Sequence, residues 1–172
     1  MKQRMKQFRK LLLPLLIATL LFQTQALAAD YSCTISIPVE VQVTGDSAPD
    51  DVDFTVTMTP VDEANPMPDA SSVTITGSGT ATLGPITYTK PGDYLYTVTQ
   101  KEGSEAYFTY DTTSYTVTVR VINDGEGGLT AEIWAIEEGG VDKVDEILFE
   151  NSYDPPAPAP KPTPKPTPVK HT

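Results

Sequence analysis

Histidine and cysteine are almost missing from the 172-residue chain, which has one of each. His171 lies in a proline-rich terminus, where no Ser–His or Cys–His pair can be held rigidly against a substrate, so nucleophilic hydrolysis of that type is not expected. The lone Cys33 excludes a Cys-rich zinc site and any disulfide within the chain. Bases are scarce where they would matter: 12 Lys and Arg face 23 Asp and Glu, for a net charge of −11. Residues 1–28 carry +5 and residues 155–172 carry +3, whereas residues 29–154 hold four bases against all 23 acids, a balance of −19. Such a surface repels phosphate backbones and anionic lipid heads, so nucleic acid is not an expected partner. Acidic side chains cluster at Asp46, Asp50, Asp51 and Asp53, but without the spacing and closing Glu of an EF-hand loop, so no metal is assigned. No cofactor motif is present, and none is expected. A glycosidase pair among the remaining carboxylates would depend on two of them facing one cleft, which spacing in a sandwich does not reveal.

Long apolar runs are also lacking. Leu11 to Phe22 is followed by Ala26-Leu27-Ala28 and preceded by Lys2, Arg4, Lys6, Arg9 and Lys10. At about 1.5 Å per residue this run is too short for a bilayer core. The order of basic start, apolar run and small residues reads as an export signal over 1–28, giving a mature chain from Ala29 that works outside the cytoplasm with no membrane span. At the other end, residues 155–172 alternate proline with Ala, Thr and Lys, which fixes φ and removes backbone donors. An extended rod reaching on the order of 50 Å results, suited to a spacer threading a cell-wall mesh or to a solubilising tail.

Residues 29–154 form the folding unit. Ile35, Ile37, Val39, Val41 and Val43 alternate with polar residues and Pro38; Phe54, Val56 and Met58 alternate with threonines; Tyr94, Tyr96 and Val98 do likewise, as do Tyr115, Val117, Val119 and Val121, and finally Ile147 and Phe149. Period two predicts strands. Others are expected at Val73–Leu83, Pro85–Thr89 and Leu129–Ile136, with turns at Pro91-Gly92-Asp93 and at Asn123-Asp124-Gly125-Glu126-Gly127-Gly128. Seven to nine short strands predict an all-β antiparallel sandwich, with Pro38 marking its strand as an edge. Cys33 shares the parity of Ile35 and is expected to be a buried thiol; lipid attachment and an intermolecular disulfide are the alternatives. Two strands end in amides whose parity points inward: Gln100 continues Tyr94, Tyr96 and Val98, and Asn151 continues Ile147 and Phe149. Left unpaired, each would cost on the order of 1–3 kcal/mol, so the two are expected to bond to each other or to nearby backbone.

Five stretches together resemble the pilin isopeptide-linkage domain of streptococcal-type Gram-positive surface proteins: Ile37 to Gly45, Asp53 to Met58, Gly84 to Gln100, Tyr110 to Val119, and Ile147 to Tyr153. The resemblance implies an extracellular structural protein with an immunoglobulin-like fold. In many such domains a core Lys, kept neutral by desolvation, attacks an Asn carboxamide on the last strand while a buried Glu or Asp shuttles protons and ammonia leaves. The Asn position is kept as Asn151, but Val41 stands at the Lys position and Gln100 at the Glu position. Valine has no nucleophilic nitrogen and a Gln cannot exchange protons as a carboxyl does. The crosslink is therefore expected to be absent, with Val41 packing and a Gln100–Asn151 hydrogen bond in its place.

The expected function is a non-enzymatic structural subunit of a Gram-positive pilus or cell-wall surface protein, partnered with other pilin or wall subunits. The alternative is a secreted adhesin that binds a host protein or glycan through a sheet face or its loops. If a sortase joins this chain to a partner, the acceptor is an accessible amine, with Lys161, Lys165 and Lys170 as candidates ahead of Lys143. Wall-attached relatives end in an LPXTG-like sorting motif, and none is seen at Pro168-Val169-Lys170-His171-Thr172. A longer reading frame, release, or retention by another subunit are the alternatives.

Overall fold

The computed structural model describes residues 31–157; the segment expected to be an export signal and the greater part of the proline-rich tail lie outside them. Ten strands follow one another: β1 (Cys33–Thr44), β2 (Asp53–Pro60), β3 (Ser72–Thr76), β4 (Gly79–Tyr88), β5 (Gly92–Gln100), β6 (Phe108–Thr109), β7 (Ser114–Asn123), β8 (Leu129–Glu137), β9 (Lys143–Val144) and β10 (Leu148–Tyr153). They form two sheets, a smaller one ordered β4-β1-β10-β6 and a larger one ordered β3-β2-β5-β7-β8-β9. All pairings are antiparallel except β1 with β10, which run parallel from Glu40 opposite Leu148 to Thr44 opposite Ser152. The first and last strands are thus neighbours, and the two chain termini leave opposite ends of that pair.

The alternating residues behave as their parity requires. Val39, Val41, Phe54, Val56, Tyr96, Val98, Val117, Val119 and Phe149 are buried between the sheets, while the threonines beside them face outward. Complete burial of each such side chain is worth about 1.5–3 kcal/mol, which makes the two inner faces the dominant stabilising feature. The β7–β8 turn closes as expected, because Asp124 Oδ1 accepts the N–H groups of Glu126 (2.7 Å) and Gly128 (2.9 Å), and Gly125 and Gly127 take positive φ. Those donors hold the Asp124 carboxyl below its ordinary range. Where β1 ends, Gly45 (φ 117°) lies so close to β10 that a Cβ would sit 2.1 Å from the Tyr153 carbonyl oxygen, so no other residue fits.

Four expectations need correction. The stretch Val73–Leu83 is not one strand: the chain turns at Gly77 (φ 65°) and Ser78, passing from the larger sheet to the smaller. The break expected before Pro85 does not occur either. Ile35 pairs with Ile86 and Ile37 with Leu83, so Gly84 and Pro85 together oppose Ser36 as a β-bulge and β4 runs through it. Pro38 does not mark an edge, since β1 lies inside its sheet. Glu40 N–H donates to the Ile147 carbonyl, so the nitrogen of Pro38, two residues earlier, faces the same side before β10 has begun, and its missing donor leaves nothing unpaired. Cys33 is only half-buried, against the expected full burial, because it starts β1 at the rim of the core beside Tyr88; desolvation raises its thiol pKa.

Candidate functional site

At the C-terminal ends of β5 and β10 the two amides meet across the sandwich. Gln100 Nε2 donates to Asn151 Oδ1 at 2.7 Å, and Asn151 Nδ2 donates to Gln100 Oε1 at 3.0 Å. They are the only buried polar or charged residues among those described, with Gln100 7% and Asn151 1% exposed. Strand parity brings them inward, and a reciprocal pair lets each amide satisfy the other in a space that excludes water. Val41 is completely buried on the same inner face of β1. The β1–β10 register places Val41 opposite Phe149 and Val43 opposite Asn151, so Val41 stands one inward position upstream of the amide's direct partner.

Two contributors were not legible in the sequence. Asp111, in the link between β6 and β7, donates its N–H to Asn151 Oδ1 (3.1 Å), while its carboxylate accepts the N–H of Glu150 (2.6 Å) and of Thr113 (2.7 Å). The Thr113 bond is an Asx-type turn that Asp111-Thr112-Thr113 could have signalled; the reach to Glu150 crosses 39 positions and had no local sign. Tyr115 donates its hydroxyl to the Leu148 carbonyl at 2.6 Å, and its burial raises the phenol pKa. Even-numbered residues of β10 face away from β1, so Asp111 and Tyr115 occupy the side of β10 that β6 covers only at Ser152 and Tyr153. Side chains thereby close an edge that would otherwise present free backbone groups. A second buried polar contact joins Tyr88 and Tyr96 hydroxyls at 3.0 Å, with Tyr96 also donating to the Pro66 carbonyl at 2.8 Å. Burial pushes both phenol pKa values upward.

The amines lie elsewhere. Lys90, Lys101 and Lys143 are exposed, and no lysine is buried among the described residues. Lys143, on β9, holds its Nζ 4.0 Å from the centre of the Trp134 ring, and the Arg120 guanidinium, paired with Asp93 at 2.7 Å, lies 5.1 Å from the same ring. Lys161, Lys165 and Lys170 lie outside the described residues. Among the described residues no three His, Cys, Asp or Glu side chains are grouped to hold a metal ion, and no helix is long and apolar enough to cross a membrane. Chemically, the site is a pair of carboxamides, and among the described residues no nucleophilic or carboxyl side chain is hydrogen-bonded to either of them.

Two packed sheets with the first and last strands side by side define an all-β sandwich closed by its terminal strands. Residues 37–154 match the family described as the Spy0128-like isopeptide containing domain, and the chain belongs to that family. Its structure is similar to the major pilin of Streptococcus pyogenes, at 27% identity and a TM-score of 0.50 over 70% of this chain and 50% of the pilin. A variant of that pilin gives 26% identity and a TM-score of 0.51 over the same shares. The T-13 major pilin of the same species has the same fold at 18% identity, with a TM-score of 0.55 over 73% of this chain and 54% of that one. The chain thus spans about half the length of the pilins it matches. No curated protein sequence matches it.

Proposed function

We propose that this chain is a non-enzymatic structural subunit of a Gram-positive pilus or wall-bound surface protein whose terminal strands are held together without a Lys–Asn isopeptide bond. Val41, Gln100 and Asn151 are, in this reading, a degenerate form of the family's reactive triad. The observation that carries it is the reciprocal pairing of Gln100 with Asn151: the carboxamide that would be attacked is engaged by a second carboxamide, and the residue at the amine position is a buried valine.

Mechanical consequences follow from the strand arrangement. Because β1 and β10 are parallel and adjacent, tension on the chain ends pulls them in opposite directions along their length, so the ladder from Glu40–Leu148 to Thr44–Ser152 is loaded together in shear. A covalent clamp would carry that load itself; here the ladder, the amide pair and the Asp111 bonds share it. Resistance to force is then a matter of unfolding rate. Assembly with other subunits would use an exposed amine as sortase acceptor, Lys161, Lys165, Lys170 or Lys143.

Intact-mass measurement of the purified mature chain tests the central statement. The full sequence mass is expected, and a deficit of one ammonia would overturn it. Peptide mass spectrometry of assembled, wall-released material checks the acceptor: a branched peptide at one of the four lysines is expected, and four unmodified lysines would refute that part.

A further inference from the structure

One inner surface of the sandwich is left uncovered. Along β8, Ala131, Ile133 and Ala135 alternate onto the inner face opposite Val121, Val119 and Val117, yet Ile133 remains 40% exposed. It lines a groove of about 260 Å³ between β8–β9 and the start of β10, floored by Ile37, Ala135, Val144 and Ile147. A second hollow of similar size adjoins it and shares Pro38, Asp145, Glu146 and Ile147. Carboxylates form the rim, with Asp145 and Glu146 exposed and Glu40 half-buried, and no base lines either hollow. The site is therefore apolar at the bottom and negative around the top.

We infer that this groove receives the proline-rich, lysine-bearing segment 155–172 of a second copy of the chain. Charge complementarity is the first argument: residues 155–172 carry three lysines and no acid, against a rim of three carboxylates on a domain with a balance of −19. Proline-alternating segments suit shallow apolar grooves, because their extended form is preset and little conformational entropy is lost on docking. Direction is the second argument. The groove flanks Ile147, just before β10, whereas the tail leaves from the far end, where Asp154 N–H donates to the Tyr107 carbonyl. The six residues of β10 separate the two places by about 20 Å. Alternating prolines resist a tight reversal of the chain, so the receiver of this segment is the next molecule and not its own domain. Groove and segment are different parts of one chain, which makes the contact head-to-tail. The inference is independent of whether the terminal strands are crosslinked.

Ile133 stands at the groove wall, and its methyl resonance reports on occupancy. The test follows sedimentation and the Ile133 methyl resonance of the mature chain through a dilution series from about 1 mM to about 1 µM, the range of weak specific contacts. Association and the resonance shift are expected to follow one concentration dependence and to weaken in high salt. Asp145→Lys with Glu146→Lys, and separately Lys161→Glu with Lys165→Glu and Lys170→Glu, should each weaken association about tenfold or more, and an equimolar mixture of the two variants should restore it. The tail variant lies outside the sandwich, so it tests the contact even if the rim variant folds poorly. A monomer with a constant Ile133 resonance throughout would overturn the inference. So would a resonance that responds to tail reversal without association, which would place the tail on its own domain, or association indifferent to both reversals, which would place it on another face.

Discussion

The Gln100–Asn151 pair makes a quantitative demand that a double-mutant cycle can meet or fail. Replacing Gln100 by Met keeps its length but removes the only partner of Asn151 Nδ2, while Asn151 Oδ1 still accepts from Asp111 N–H. One buried donor left unpaired costs about 1–3 kcal/mol. Replacing Asn151 by Leu does more: it strands both polar atoms of Gln100, leaving Nε2 only a 3.5 Å contact to the Asp111 carbonyl, and also strands Asp111 N–H. A cost of about 3 kcal/mol is expected. In the double variant the two amides vanish together and only Asp111 N–H is left, so the total should fall short of the sum by about 3 kcal/mol. Urea unfolding of the mature chain measures this, with midpoints about 1 M lower for the Gln100→Met variant and the slope unchanged. Costs that add to within about 0.5 kcal/mol would refute the claim that these amides depend on each other.

Restoring the missing groups is a second test: Val41→Lys with Gln100→Glu should let the new amine attack the Asn151 carboxamide carbon, forming the C–N bond and releasing Nδ2 as ammonia, seen as a mass loss of one ammonia. Val41→Lys alone should show no such loss, and loss from Val43→Lys with Gln100→Glu in place of the Val41 variant would show that the amine position had been misassigned. Alkaline pH supplies a third. Tyr88 has a pKa raised above its ordinary value of 10.0 by burial, then by its Tyr96 hydrogen bond, so its neutral form contributes stability fully present below pH 10 and lost as pH rises above it. Tyr88→Phe should flatten the fall in urea midpoint above pH 10, while Tyr96 keeps its bond to Pro66; an unchanged slope would contradict the assignment.

Much of this domain could be read without coordinates because β-structure has a period of two. Ile37, Val39 and Val41, or Tyr96, Val98 and Gln100, declare an inner face by alternation alone, and the glycines around Asp124 declare a turn by the φ they permit. Even the inward aim of Gln100 and Asn151 follows from parity, since a strand that reverses its faces would expose its whole hydrophobic set. Which strands lie side by side is another matter. The order β4-β1-β10-β6, the interior position of Pro38 and the run of β4 through Gly84-Pro85 depend on pairings between distant segments, and no local pattern encodes a partner. For the same reason Asp111 and Tyr115 were silent in the sequence: their hydrogen bonds reach Glu150 and Leu148 only after β7 and β10 have packed. Local alternation determined which side chains had to be hidden; tertiary packing alone decided which of them would meet, because contact across a sandwich is set by the mutual placement of two sheets and not by neighbours along the chain.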